Sequence, residues 1–312
     1  MKKYSKVLSL ALAFVMLFAL CACGAAETPA AEPTAVPAAD APASEAPAET
    51  EAPAESQGVL DQIKADGVLY VTLSPDFAPM EFVDSSKDGQ EQYVGFDVTL
   101  AKYIAEYIGV DLVIEPMSFD ACQTAVYTGS VPMSISGYSW TEERSENYEI
   151  SDYYYAGDNE TEQVILIKKT DADKYTSAED FSGVDVGAQN ASLQMNLLTS
   201  QLPDANPITI GDLGVGVLEL QNGSIEALAV AKGNAEMILD SNPDLMICPW
   251  EFEVAAEYEA NIILITKGET ALLNVVNEAL AKAYADGLYG TWYEDAVALS
   301  KSENAAEVSV ED

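Results

Sequence analysis

The 312-residue sequence contains no histidine, a single arginine and no CxxC pair. Without histidine, an enzyme built on this chain would have to use Glu, Lys or Tyr as its acid or base, and a zinc site would need other ligands. Two cysteines, Cys122 and Cys248, lie in the part of the chain that can fold, in no metal-like spacing; they read as two buried small hydrophobes. Basic residues are scarce. Fourteen Lys and Arg stand against 52 Asp and Glu, for a net charge of −38. That excludes nucleic-acid binding, because phosphate contacts need Lys and Arg. Strong acidity instead suits an exposed, soluble protein. Beyond the N-terminus no stretch is long and apolar enough to span a bilayer.

The N-terminus itself has a distinct pattern. Lys2, Lys3 and Lys6 precede an uncharged apolar stretch of 14 residues, Val7 to Leu20. That is the length of a signal peptide and short for a transmembrane helix. It runs into Leu20-Cys21-Ala22-Cys23-Gly24. A Leu three residues before a Cys, with a small residue just before it, is the pattern lipoprotein signal peptidase cleaves, so residues 1–22 read as a lipoprotein signal peptide and Cys23 as the lipidated residue. The alternative is an ordinary secretory signal with two incidental cysteines. Cleavage removes three lysines and no acids, which takes the net charge from −38 to −41. Residues 23–57 are Ala, Pro, Glu and Thr almost throughout. They cannot bury a core and read as a disordered, stiff, self-repelling tether.

The remaining 240 or so residues are enough for one large domain or two small lobes. Short β-like runs alternate with helical patterns. Strands are expected at Val68–Leu73, Asp111–Glu115, Val131–Ser136, Val164–Ile167, Val184–Ala188, Ile225–Val230 and Ile262–Thr266. Helices are expected from Asp97 as a cap, over Phe119–Tyr127, from Ser192, around Ala235–Leu239, and over Leu272–Ala285 and Tyr289–Leu299. Such alternation implies α/β sheets of mostly parallel strands. Ligands bind such sheets at the carboxyl ends of strands, here the loops after Leu73, Ser136, Ala188 and Val230.

One of those regions carries Arg144. Thirteen lysines supply the other positive charge, so a lone arginine marks a place where a planar, permanently charged fork matters, as in holding a carboxylate through two parallel hydrogen bonds. The bland alternative is an ion pair with Glu142 or Glu146. The segment Gly137-Tyr138-Ser139-Trp140-Thr141-Glu142-Glu143-Arg144 follows a strand and adds a hydroxyl and loop N–H groups, which can converge on a carboxylate. Phe77 and Phe119 each follow a strand as well. They can sandwich a small ligand or simply pack in a core.

Taken together these segments resemble the polar amino-acid group of bacterial extracellular solute-binding proteins, family 3, similar to glutamine- and histidine-binding proteins, over residues 58 to about 298. Asp76-Phe77-Ala78-Pro79-Met80-Glu81-Phe82 is similar to that family's aromatic-then-PFEF stretch, and Gly95-Phe96-Asp97-Val98 to its GFDVDL helix start. Phe119-Asp120 through Gly129-Ser130-Val131, Ser139 to Arg144, Ser151 to Tyr155 and Leu220 to Ala227 resemble four further family segments. Each alone is weak; the set is specific.

The resemblance implies a two-lobe periplasmic-binding-protein type II fold with a hinge and a central ligand cleft. Lobe 1 would span 58–156 plus 266–298, lobe 2 would span 160–262, and 299–312 would be an acidic tail. Carried over position by position, Phe77 and Phe119 would sandwich the ligand. The Gly137 backbone, Ser139 and Arg144 would hold its carboxylate, Ser192 would add donors at a helix N-terminus, and Gln189 would read its side chain. One departure matters. Where the family places an ammonium-binding Asp, this chain has Ala231, followed by Lys232. Another carboxylate, such as Glu236 or Glu251, would have to serve, or the ligand would lack a free ammonium. The implied function is the extracytoplasmic substrate-binding component of an ABC importer, monomeric, working with a membrane permease and without cofactor or metal. A ligand-sensing surface lipoprotein and a secreted dehydratase-like enzyme on the same fold are the alternatives.

Overall fold

The computed structural model describes residues 58–154, 162–258 and 260–306. The signal peptide, the tether, Cys23 and the last residues of the expected acidic tail lie outside them.

The first stretch runs α1 (Val59–Asp66), β1 (Val68–Leu73), β2 (Phe82–Asp84), β3 (Tyr93–Val94), α2 (Phe96–Ile108), β4 (Asp111–Pro116), α3 (Phe119–Tyr127), β5 (Met133–Ser139), α4 (Glu142–Asn147) and β6 (Glu149–Ile150). The second runs β7 (Gln163–Lys168), β8 (Asp185–Gln189), α5 (Leu193–Gln201), β9 (Asn206–Ile210), α6 (Leu213–Asn222), β10 (Ala227–Ala231), α7 (Lys232–Ser241) and β11 (Leu245–Ile247). The chain then returns through β12 (Asn261–Ile265), α8 (Thr270–Ala285), α9 (Leu288–Ser300) and β13 (Ala305–Ala306).

Two five-stranded sheets organise these elements, in the orders β4-β1-β5-β12-β6 and β11-β7-β10-β8-β9. Both are covered on two faces, which is why strands such as β7 and β12 are almost continuously apolar rather than alternating. On the first sheet one face carries Leu69, Phe96, Ile104, Val276 and their neighbours, and the other carries Cys122, Val126, Tyr138 and Ile262. Separate clusters around Phe181 and Leu198, and around Val217 and Leu228, cover the second sheet.

The pairing is less parallel than the alternation suggests. The β1–β4, β1–β5, β8–β9 and β8–β10 pairs are parallel, while β12 with β5 and β6, and β7 with β10 and β11, are antiparallel. The antiparallel strands β7 and β12 are those by which the chain enters each sheet from the other. No strand–helix–strand crossover constrains their direction. The return comes earlier than the expected residue 266: Asn261 already pairs with Ser139 of the first sheet. Tyr154 and Asn261, at the edges of the outgoing and returning segments, form an antiparallel bridge. At the C-terminus, α9 extends to Ser300 and β13 pairs with β2, so residues expected as tail join a small three-stranded sheet.

Asp97 is not the cap of α2. Gly95 takes that place at φ +124°, and a Cβ there would lie 2.2 Å from the Met80 carbonyl oxygen. Asp97 lies one residue inside the helix and turns inward.

Candidate ligand-binding cleft

The loops after β1, β5 and β8 meet between the two sheets. They enclose a cavity of about 20 Å³ lined by Asp76, Phe77, Phe119, Ser136, Gly137, Ser139, Arg144, Gln189, Leu193 and Gln194. Six of the eight ligand residues expected from sequence are therefore brought together. A larger cavity of about 310 Å³ opens beside α6 and α7, but no ionisable side chain lines it.

Arg144 is 4% exposed. Thr141 caps the short helix α4 by accepting from the Arg144 N–H at 3.1 Å, which fixes the backbone that carries the guanidinium. The guanidinium donates to three neutral oxygens: Nη1 to Ser139 O at 2.6 Å, Nη2 to Ala191 O at 2.9 Å, and Nε to Gln123 Oε1 at 3.3 Å. Its carbon sits 5.0 Å from the Tyr138 ring centroid and 5.8 Å from that of Phe119. Glu142, Glu143 and Glu146 are all exposed, on the other side of α4.

Gly137 lines the cavity differently from the expectation. It lies within β5 and its N–H already donates to Asp97 Oδ2 at 2.8 Å, so that donor is not offered to a ligand. At φ +56° it instead lets the Phe77 ring come close: a Cβ on Gly137 would lie 2.7 Å from Phe77 Cε1. Phe77 and Phe119 are both half-buried on the cavity wall.

Ser192 does not line the cavity. Its Oγ accepts from Met195 N at 3.0 Å and caps α5, and the next residues, Leu193 and Gln194, present the first turn of that helix to the cavity. Lys232 is also absent from the wall. It is 34% exposed and pairs with Glu162, because α7 starts past the end of β10 and points it outward. Of the four strand ends expected to hold ligand, the one after β10 thus contributes nothing to the cavity.

A network of acids runs from Asp76 on the wall to Glu81 and Asp97 behind it. Asp76 Oδ1 accepts from Ser74 Oγ at 2.8 Å. Ser74 N donates to Ser136 Oγ at 3.0 Å, and Ser136 Oγ donates to Glu81 Oε1 at 2.6 Å. Asp97 Oδ2 accepts from Gly137 N and from Tyr154 OH at 3.0 Å. Desolvation pushes Asp76 and Asp97 up to about 6 and raises Glu81 well above its usual range, with the Asp97 charge adding to the rise in Glu81. The sequence marked Asp76 and Glu81 only as members of a similar stretch; nothing local signals their place in the site.

The two lobes are clasped across the cavity. Asp76 Oδ2 accepts from Gln189 Nε2 at 2.8 Å and Leu213 N at 2.9 Å, Asn190 Nδ2 donates to Asp120 Oδ2 at 2.8 Å, and Asn234 Nδ2 donates to Ala78 O at 3.0 Å. Among the described residues no group of His, Cys, Asp and Glu is arranged to hold a metal ion, and no helix is long and apolar enough to cross a membrane. Cys122 and Cys248 are both buried and unpaired with each other; burial pushes the Cys122 thiol up to about 12.

The sequence matches bacterial extracellular solute-binding proteins, family 3, over residues 69–296, well over half the chain. The chain belongs to this family. A probable histidine-binding protein of Campylobacter jejuni is 26% identical over 223 residues, covering 72% of this chain and 82% of the relative. The arginine-binding extracellular protein ArtP of Bacillus subtilis is 29% identical over 226 residues, covering 70% and 82%. The crystal structure of AbpA, an amino acid ABC transporter substrate-binding protein from Streptococcus pneumoniae bound to L-arginine, superposes with a TM-score of 0.71 at 32% identity, covering 78% of this chain and all of that one. The fold is the two-lobe periplasmic-binding-protein type II architecture. This family and these neighbours are binding proteins, not enzymes, and the family places the chain outside the cytoplasm.

Proposed function

We propose that this protein captures an amino acid or a closely related small carboxylate by closure of its two lobes and presents it to an ABC permease. The observation that carries the reading is Arg144: a buried guanidinium on the wall of the interlobe cavity, held by carbonyl oxygens of both lobes. When the lobes part, Ala191 O moves away from Nη2, and a carboxylate can take its place in a charge-assisted bond that neutral oxygens do not match. Ser139 and the first turn of α5, where a helix N-terminus favours negative charge, flank that position. Phe77 and Phe119 cover the apolar part of the ligand, and Gln189 meets its side chain. The present cavity holds little more than a water molecule, so entry requires hinge opening. A lipid on Cys23 and the Ala/Pro/Glu tether hold the monomer near its permease at the outer membrane face. The relatives named for histidine and arginine, and the neighbour bound to L-arginine, support the ligand class.

The test is a thermal-shift and calorimetric screen of the ligand-free protein against L-amino acids, N-acetylated amino acids and dicarboxylates. A native-state ligand raises the melting temperature by mass action. Saturable binding of at least one carboxylate, abolished in Arg144→Ala, is expected. Binding that is unaffected by Arg144→Ala sinks the site assignment.

A further inference from the structure

Asn261 is the residue at which the chain rejoins the first sheet. Just upstream, Tyr258 still packs against the Phe181 cluster of the second lobe, whereas Asn261 pairs with Ser139 and bridges to Tyr154. Its carbonyl oxygen accepts from Tyr154 N at 3.0 Å. Its side chain is less well provided for. Asn261 is 0% exposed, yet neither Oδ1 nor Nδ2 has a hydrogen-bond partner among the described residues. Side chains alternate along a strand. Ile262 packs with Cys122 and Tyr138, so Asn261 faces the other way, towards the apolar cluster that holds Tyr154 and Ile263. Burying an amide without partners is unfavourable. The place is as telling as the burial. Residues at the ends of elements absorb the rotation when lobes part, and Asn261 is the first residue of β12. Ser139, its cross-strand partner, lines the ligand cavity and holds Arg144 Nη1 through its own carbonyl oxygen.

We infer that Asn261 is an opening element of the hinge: its buried amide disfavours the closed arrangement, and parting of the lobes lets water reach it. The ligand-free protein is thereby biased towards the open form, and ligand contacts supply the difference on closing. The inference rests on the reading of the cleft as one that works by hinge closure, and adds what opposes that closure. Apparent affinity scales with the fraction of molecules in the binding-competent form, so such an element weakens capture and speeds release. Two rivals give other signs. An amide equally buried, or equally paired with a trapped water, in both arrangements leaves affinity untouched when replaced. An amide that meets the ligand lowers affinity when replaced.

The test compares wild type with Asn261→Val, which removes the amide and matches the β-branched Ile262 and Ile263 that follow it. Small-angle scattering of the ligand-free proteins reads closure without a ligand. Asn261→Val is expected to have a smaller radius of gyration than wild type, close to that of wild type saturated with L-arginine. Calorimetry with L-arginine is expected to show binding at least about 5-fold tighter in the variant, and stopped-flow release to be slower. Asn261→Thr, which keeps one hydroxyl at nearly the same volume, is expected to fall between the two and serves where the valine variant does not fold. Identical ligand-free scattering of wild type and variants overturns the inference, and so does a ligand-free wild type already as compact as the bound form. Unchanged affinity with raised stability overturns it in favour of an amide buried or water-paired throughout. Weaker affinity overturns it in favour of a ligand contact. If wild type does not bind L-arginine, it is the amino-acid reading that fails, and the ligand-free scattering still decides this inference.

Discussion

Ala191 gives its carbonyl oxygen to Arg144 Nη2 at 2.9 Å while holding φ at +55°, the left-handed region that alanine rarely occupies. The residue follows β8, and the turn it makes delivers one lobe's oxygen to the other lobe's cation. The left-handed conformation costs an L-residue about 1–2 kcal/mol, whereas glycine adopts it freely but loses about 0.5–1 kcal/mol in chain entropy. Ala191→Gly is therefore expected to be neutral or stabilising by up to about 1 kcal/mol, against the usual direction of an Ala-to-Gly change. Denaturant unfolding of the ligand-free protein checks this; a loss of 1 kcal/mol or more would show that the turn is not strained.

Arg144→Lys is the more telling change at this contact. Lysine keeps the charge but cannot reach Ser139 O, Ala191 O and Gln123 Oε1 together, because its three donors radiate from one atom. Leaving a buried carbonyl unpaired costs about 1–3 kcal/mol. We expect a stability loss of that order and a drop in ligand affinity of at least about 10-fold. Unfolding curves and calorimetry read the two effects separately. Wild-type affinity in the lysine variant would mean that charge alone suffices.

How much of this was legible in the chain depends on whether the deciding contact is local. Helix α3 begins and ends where periodicity placed it, and Ser192 caps α5 as its residue type suggested, because apolar spacing and capping act within a few residues. Helix α6 was missed. Leu213-Gly214-Val215-Gly216 starts with two weak helix formers, and burial of Leu213, Val217 and Leu220 against the second sheet overrides that propensity. Strand β9, Asn206-Pro207-Ile208-Thr209-Ile210, is not among the expected strands; its proline is tolerated because it lies at the sheet edge, next to β8 alone. Arg144 was visible through its uniqueness. Asp76 was not, because its partners Gln189 and Leu213 lie 113 and 137 residues away. Lys232 was misplaced for the same reason in reverse: adjacency to Ala231 said nothing of the direction in which α7 leaves the strand.

Gly137→Ala tests the packing of the wall. A new methyl would meet the Phe77 ring 2.7 Å away, on a residue already at φ +56°. The ring can swing, so the clash is partly relieved, but the backbone strain stays. A destabilisation of about 1–3 kcal/mol is expected. Ligand affinity should fall too, since Phe77 must leave its place on the wall. Circular dichroism melts together with calorimetry check both; a variant with unchanged affinity would mean that Phe77 makes no ligand contact.

The last prediction concerns Glu81 and Asp97. Glu81 Oε2 and Asp97 Oδ1 are both buried, and the charge of Asp97 adds to desolvation in favouring the protonated form of Glu81. Asp97 and Asp76 rise from 3.8 to about 6 on folding, chiefly through desolvation, and Glu81 rises well above 4.5. The native state thus binds more protons than the unfolded chain from roughly pH 4 upward to at least about pH 6. Stability changes with pH as the protons bound unfolded minus those bound native. The contribution of these groups is complete below about pH 4 and is lost as pH rises through the folded values, the reverse of ordinary acid denaturation. The chain's net charge of −38 pushes in the same direction through self-repulsion, so wild type alone cannot isolate the acids. Asp97→Asn can. Its carbonyl still accepts from Gly137 N and Tyr154 OH, and its amide can donate to Glu81 Oε2. We expect the variant to lose less stability than wild type between pH 4 and pH 7, measured by denaturant unfolding at several pH values. Parallel curves for the two proteins would mean that the pair does not take up a proton on folding.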